Sequence, residues 1–175
     1  MYGVQQLKEY KNLIRFQSIL QKNYGGSNDG DCSLCAITAV GAYKLNYTES
    51  FDSIYRRVRK VAEGYFANPD KFGTIPVFIK NIINDSFLVK SRAKYLKNVG
   101  FNWQTIKTQL KENNPIVLSI SKDGRNYYEA HSITIVGYRE YTKNAKLLLV
   151  YDNWHNDISY VDFNLLGTSC CINYF

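Results

Sequence analysis

The sequence predicts an α+β fold in which N-terminal helices pack on a C-terminal antiparallel β-sheet. In the first part of the chain, apolar residues recur every three or four positions, which is the period of an amphipathic helix. From Pro115 onwards, short runs rich in β-branched and aromatic residues alternate with polar turns, which is typical of antiparallel strands. The length of 175 residues suits one core, so we expect a single domain over residues 1–175.

The helical period predicts five helices before the sheet. Asp31 can cap the second of them, whose inner face would carry Cys32, Cys35 and Ala39. Pro115 should end the last, because the residue before a proline avoids the helical conformation. The predicted helices cover residues 5–22, a segment that starts at Cys32, residues 49–63, a short segment with Pro76 in its first turn, and residues 102–113.

The strand period predicts an extended piece at "FLVKSRAKYL", then "PIVLSI", "HSITIVGY", "KLLLVYD", "ISYVDF" and "SCCINYF". If "HSITIVGY" and "KLLLVYD" pair as a hairpin, His131 lies opposite Trp154 and Asp152 lies opposite Ile133. His131 and Asp152 would then be diagonal neighbours on one face, about 7–8 Å apart at the backbone. A slip of one residue would move them to opposite faces.

The net charge of +7 raises the question of a nucleic-acid partner. Much of the excess lies in two clusters: Arg56, Arg57, Arg59 and Lys60, then Lys90, Arg92, Lys94 and Lys97. We interpret both as solvated faces and predict no nucleic-acid partner, since no nucleic-acid-binding motif accompanies them. The oligomeric state is not indicated.

Membrane and export signals are missing from the printed sequence. No apolar run reaches the roughly 18 residues that cross a bilayer, so no membrane-spanning segment is expected. The N-terminus "MYGVQQLKEYKNLIRF" has no signal-peptide pattern. We therefore expect a cytoplasmic protein, unless the chain is a processed fragment or is exported by another route.

The four cysteines form two pairs, Cys32/Cys35 and Cys170/Cys171. They are few for a disulfide scaffold of this length. A four-thiolate zinc site is disfavoured, because adjacent cysteines in a strand point to opposite faces. We expect no metal or organic cofactor, which leaves small core residues or a nucleophile as the interpretations of "NDGDCSLCAITAVGAY".

A nucleophile needs partners, and the predicted sheet offers them. A free thiol with a pKa of about 8.5 is mostly protonated at neutral pH, but an imidazolium and a helix N-terminus favour the thiolate. Cys32 opening a helix, His131 on a strand and Asp152 on the next strand fit this Cys-His version of triad chemistry. Cys35 is the alternative nucleophile, and His155 is a rival base in an exposed turn. We expect the side chains of Tyr138 and Trp154 to line the site.

These segments resemble the papain-like cysteine peptidase superfamily in its compact bacterial form. "HSITIVGY" resembles the His-x-x-x-x-x-Gly-Tyr strand, and "LLLVYDNW" resembles the strand that ends in the Asn or Asp partner with a Trp two places later. "GTIPVFIKNII" is similar to a helix of the bacteriocin-leader peptidases, and Asn28, Gly30 and Cys32 match the staphopain approach to the nucleophile. The resemblance covers most of residues 24–163.

The resemblance implies a papain-like fold, but this sequence departs from the family pattern at one position. The family carries a Gln six residues before the nucleophile, which donates a hydrogen bond to the oxyanion, but Gly26 stands there. Asn28 or Asn23 would substitute, with the Cys32 backbone N–H as the second donor. Loss of one such donor typically costs about 10²–10³ in rate.

The resemblance implies a cysteine hydrolase that cleaves amide or peptide bonds of a peptide or protein substrate through a Cys-His-Asp triad and a thioester acyl-enzyme. A deamidase or an acyltransferase would use the same triad. The missing Gln keeps open another alternative, a catalytically impaired papain-like domain that acts as a binding module.

Overall fold

The computed structural model describes residues 5–24, 29–65, 73–88, 92–95, 103–120, 127–128, 130–167 and 170–175. Its α-helices are α1 Cys32–Lys44, α2 Phe51–Glu63, α3 Pro76–Phe87 and α4 Trp103–Lys111. Its strands are β1 Leu7–Asn12, β2 Arg92–Tyr95, β3 Ile116–Ile120, β4 His131–Tyr141, β5 Lys146–Tyr151, β6 Ser159–Asp162 and β7 Cys171–Tyr174. The predicted α+β class is confirmed.

The strands form one antiparallel sheet in the order β2-β7-β3-β4-β5-β6, and β1 also pairs with β4. The predicted hairpin register is confirmed at the end of β4 that carries His131, where Thr134 lies opposite Tyr151 and Ile135 opposite Val150. A bulge between Ile135 and Gly137 shifts the register beyond that point by one residue. His131 is therefore placed near the turn that follows β5.

The prediction of a helix over residues 5–22 is wrong. The segment contributes the strand β1, whose residues pair with the second half of β4, and its helical part is a short 3-10 turn, Gln21–Asn23. β4 extends eleven residues, so β3 pairs with its first half and leaves the second half open to β1. Tertiary pairing with this open edge overrides a local pattern that fits a helix.

Helix α1 is buried on all sides, whereas the sequence predicts one apolar face. All residues from Cys32 to Ala42 are buried. Ala39 belongs to the core around the sheet, and Leu34, Ile37 and Val40 belong to a second core. A helix that is apolar all round fits only in such an enclosed position. α1 therefore delivers Cys32 into the interior beside the start of β4.

Asp31 precedes α1 as predicted, but its carboxylate does not cap the helix. The structure gives no hydrogen bond from this side chain to the first turn. The buried carboxylate lies instead 3.9 Å from the Arg59 guanidinium of α2 and close to the Tyr55 hydroxyl. A buried carboxylate needs such a cationic partner, so Asp31 connects α1 to α2.

The first basic cluster is partly ion-paired on the outer side of α2. Arg57 pairs with Glu49, and Arg59 pairs with Glu63 one turn further along the helix. Lys90 and Lys97 of the second cluster lie outside the described residues. None of the helices in the described part of the chain is both long and apolar enough to span a bilayer.

Candidate functional site

Asn153, which sequence analysis did not single out, joins four chain segments at the start of β4. Its side-chain Nδ2 donates to the backbone oxygens of Cys32 (3.2 Å) and Ser132 (3.0 Å). Its own backbone oxygen accepts a hydrogen bond from the Gln21 N–H (2.8 Å). Asn153 is fully buried with a φ of 64°, a left-handed conformation that Asn tolerates better than most residues. It therefore fixes the N-terminus of α1 against the residue that follows His131.

Cys32 is the first residue of α1 and is 8 % exposed. Burial raises the pKa of its thiol, and hydrogen bonds from the Ser132 backbone N–H and the Ser33 hydroxyl offset only part of that effect. This differs from the predicted drop in the thiol pKa. The reason is physical: a group taken out of water is penalised in its charged form. The thiol at rest is therefore neutral, and it needs a base to become a nucleophile.

Cys35 lies one turn deeper in α1 and is fully buried. Burial and the nearby Asp31 carboxylate raise the pKa of its thiol well above its usual range. Both features favour core packing for Cys35 and leave Cys32 as the better candidate nucleophile. Cys170 and Cys171 are buried at β7, and all four thiols are free. No group of three or more His, Cys, Asp or Glu that could hold a metal ion occurs in the described part of the chain.

His131 opens β4 and is 4 % exposed. Its Nε2 lies 2.7 Å from the backbone oxygen of Asp152. A carbonyl oxygen can only accept a hydrogen bond, so Nε2 carries the proton and Nδ1 is the basic nitrogen of the neutral ring. The ring stacks on Trp154 (centroids 4.0 Å apart) and on Tyr128 (5.7 Å). The imidazole is thus held in one orientation and one tautomer.

The Asp152 carboxylate bonds the turn after β5, whereas the sequence predicts only that Asp152 is a diagonal neighbour of His131. Oδ1 accepts from the backbone N–H groups of Trp154 (3.0 Å) and His155 (2.9 Å). Oδ2 accepts from the Tyr128 hydroxyl (3.0 Å) and lies 2.8 Å from the His155 Nδ1. Aspartate side chains commonly bond the backbone two residues on in such turns. Asp152 therefore contacts His131 through its backbone oxygen.

The environment of Asp152 keeps it charged. Burial alone would raise the pKa of Asp152, but hydrogen bonds from the side chain and backbone of His155 outweigh it and hold that pKa below its usual value. His155 is 63 % exposed at its side chain, as the predicted turn requires. The two histidines thus share one aspartate, since His131 contacts its backbone oxygen and His155 its carboxylate.

Tyr138 does not wall the site, contrary to the sequence-based expectation. It lies seven residues along β4 from His131, about 24 Å away at strand spacing. Its hydroxyl donates to Glu9 (2.8 Å), and its ring packs edge-on against Trp103. The predicted wall residue Trp154 does lie on His131.

Gln21 is a second residue that sequence analysis missed. Its side chain is 6 % exposed, and its Oε1 is buried with no hydrogen-bond partner among the described residues. Gln21 contacts Asn153, which in turn contacts Cys32. The residue lies eleven positions before Cys32, further than the family spacing of six. Asn28 lies outside the described residues, and Asn23 is exposed.

The model of the Peptidase_C39 like family matches residues 13–165 of the chain. The chain belongs to this family. Among solved structures, the proform of the ragweed pollen cysteine protease Amb a 11 superimposes with a TM-score of 0.56 at 11 % sequence identity. The match covers 98 % of this chain and 66 % of that chain. At this identity the likeness shows the papain-like fold alone. A search of curated proteins gave no match.

Proposed function

We propose that this cysteine peptidase-type domain is a hydrolase of amide or peptide bonds that uses Cys32 as nucleophile and His131 as base. The observation that carries the proposal is the Asn153 bridge, which bonds the backbone of Cys32 to that of Ser132, the neighbour of His131. A cysteine at a helix start beside a histidine in a defined tautomer is the arrangement that acyl transfer requires. Asp152 supports His131 through its backbone oxygen.

The reaction would run through a thioester. His131 takes the thiol proton as the Cys32 sulfur bonds to the substrate carbonyl carbon, and a tetrahedral oxyanion forms. The C–N bond then breaks, and the imidazolium returns the proton to the leaving amine. Water attacks the thioester while His131 again accepts a proton, and the acid product leaves with the thiol regenerated. His131 therefore starts acylation and deacylation as a proton acceptor, and it acts as a proton donor when the C–N bond breaks.

The test is covalent labelling by a peptide acyloxymethyl ketone, which forms a stable thioether with the cysteine sulfur and releases its carboxylate, followed by mass spectrometry of the modified peptide. We expect the adduct on Cys32, and we expect Cys32→Ala to lose both the adduct and amide hydrolysis. Cys35→Ala is the matched control, since its thiol is on the same helix but fully buried; it should retain labelling. An adduct that still forms in Cys32→Ala would contradict the assignment of Cys32 as the nucleophile.

Gln21 is the proposed oxyanion donor, together with the backbone N–H of Cys32. We expect Gln21→Ala to lower kcat by about 10²–10³ with little change in KM, because the contact is made mainly to the developing oxyanion. Steady-state kinetics on a fluorogenic peptide would measure it. Gln17, exposed in the same segment, offers the control variant Gln17→Ala, and an equal loss in both variants would contradict the role.

A second candidate function is a catalytically impaired domain that binds a partner. The specific observation in its favour is the Cys32 thiol, whose pKa is raised by burial. In that case the reagent would not label Cys32 at neutral pH, and no amide hydrolysis would be measured. The labelling experiment therefore separates the two functions.

A further inference from the structure

The side chain of Asn153 links the two elements that carry the proposed nucleophile and base. Helix α1 begins at Cys32, and strand β4 begins at His131. The Asn153 amide donates one hydrogen bond to the backbone oxygen of Cys32 (3.2 Å) and one to that of Ser132 (3.0 Å). Both partners are carbonyl oxygens, which can only accept, so the amide nitrogen must face them and both of its protons are used. The amide is therefore a two-point connection between α1 and β4.

The backbone around residue 153 explains why a side chain makes this connection. Strands β4 and β5 pair with Thr134 opposite Tyr151, and the same register continued would bring Ser132 opposite Asn153. However, β5 ends at Tyr151, and Asn153 has a φ of 64°, outside the strand conformation. The Asn153 amide therefore continues the connection to β4 beyond the last backbone pair.

Asn153 also lies between two residues that contact the imidazole of His131. The backbone oxygen of Asp152 lies 2.7 Å from the His131 Nε2, and the Trp154 ring stacks on the imidazole at 4.0 Å. The backbone oxygen of Asn153 itself accepts from the Gln21 N–H (2.8 Å). Asn153 is fully buried, so all of these contacts depend on one enclosed residue. A displacement of Asn153 would therefore move the imidazole relative to α1.

We propose that Asn153 is a positioning residue, whose amide holds the starts of α1 and β4 at the separation at which the Cys32 thiol proton can pass to His131. Asn153 acts through the backbones of Cys32 and Ser132 and contacts none of the reacting atoms. The inference rests on the proposed function, since it assigns a role in that reaction to a residue outside the triad.

Asn153→Gly is the first test variant, because glycine adopts a φ of 64° without strain and the change removes only the two side-chain bonds. We expect kcat to fall about 10- to 100-fold with little change in KM, since a misplacement of about 1 Å between reacting groups can cost about 10² in rate. Steady-state kinetics on a fluorogenic peptide would measure both constants, with the folded fraction determined by circular dichroism.

Asn153→Asp is the second variant, since it keeps the size of the side chain while an ionised carboxylate has no proton to donate. Burial against two carbonyl oxygens is expected to raise the pKa of the introduced carboxyl, and its protonated form regains one O–H donor. We therefore expect the ratio of kcat in Asn153→Asp to kcat in Asn153→Gly to rise as the pH falls from about 8 to about 5. A constant ratio would overturn the proposal, because kcat would then not depend on the donated protons.

Asn173→Ala is the matched control for a general loss of packing. Asn173 is a fully buried asparagine of the same sheet, and its Nδ2 lies 3.5 Å from the Cys171 sulfur on β7. We expect kcat per folded molecule to stay at the wild-type value in this variant. An equal loss of kcat in Asn173→Ala and Asn153→Gly would overturn the proposal, as would a wild-type kcat in Asn153→Gly. A wild-type protein without amide hydrolysis would instead overturn the proposed function, and this inference with it.

Discussion

Replacement of His131 by alanine is expected to lower the rate of amide hydrolysis by about 10²–10⁴, the usual contribution of a positioned general base. His131 is buried against Tyr128 and Trp154, and its Nε2 bond to Asp152 assigns the basic role to Nδ1. The measurement is kcat/KM on a fluorogenic peptide, with circular dichroism to confirm folding.

His155→Gln is the matched comparison, because His155 contacts the same aspartate from the solvent side. Its loss leaves the Asp152 carboxylate with three of its four hydrogen-bond donors, so we expect kcat/KM to fall by about tenfold or less. The two variants together decide which histidine is the base. A larger loss in His155→Gln than in His131→Ala would show that the assignment is reversed.

The sequence predicted the parts of the fold that carry strong local signals. The strands after Pro115, the helix predicted over residues 49–63 and the proline at the start of α3 are confirmed, the helix as Phe51–Glu63. The hairpin register placed Trp154 opposite His131, and the two rings stack in the structure. Local period and turn chemistry determine such features, so they can be derived without tertiary contacts.

What the sequence could not predict depends on contacts between distant segments. The strand β1 forms because the second half of β4 has an unpaired edge, and the local pattern of residues 5–22 does not indicate that this edge is available. The Asp152 carboxylate is bonded by Tyr128 and His155, and two of its four bonds come from the backbone of its own turn. Gln21 reaches the site because Asn153 accepts its N–H across a sequence separation that no spacing rule covers.

Loss of the Lys107 ammonium is expected to destabilise the fold outside the site. Its ammonium on α4 bonds Glu140 of β4 (2.7 Å) and also Glu9 of β1, and it is 11 % exposed. We expect Lys107→Met to lower the free energy of unfolding by about 1.5–3 kcal/mol at pH 7, because two carboxylates lose a shared charged donor. Urea denaturation would measure the change. Lys111→Met is the control: Lys111 also bonds Glu9 but is 54 % exposed, so its loss should cost about 0–1 kcal/mol.

The same network predicts how this difference changes with pH. Hydrogen bonds from Lys107 and Lys111 lower the pKa of Glu9 to about 2, and hydrogen bonds from Lys107 and Trp103 lower the pKa of Glu140 to about 2. A carboxyl whose pKa is depressed by folding stabilises the protein above its unfolded pKa, and that stability is lost as pH falls through the folded value. The gap between wild type and Lys107→Met should therefore be full above about pH 4.5 and shrink towards pH 2. A gap that stays constant over this range would show that Lys107 stabilises by packing its aliphatic stem rather than by its charge, since packing does not titrate with the two glutamates.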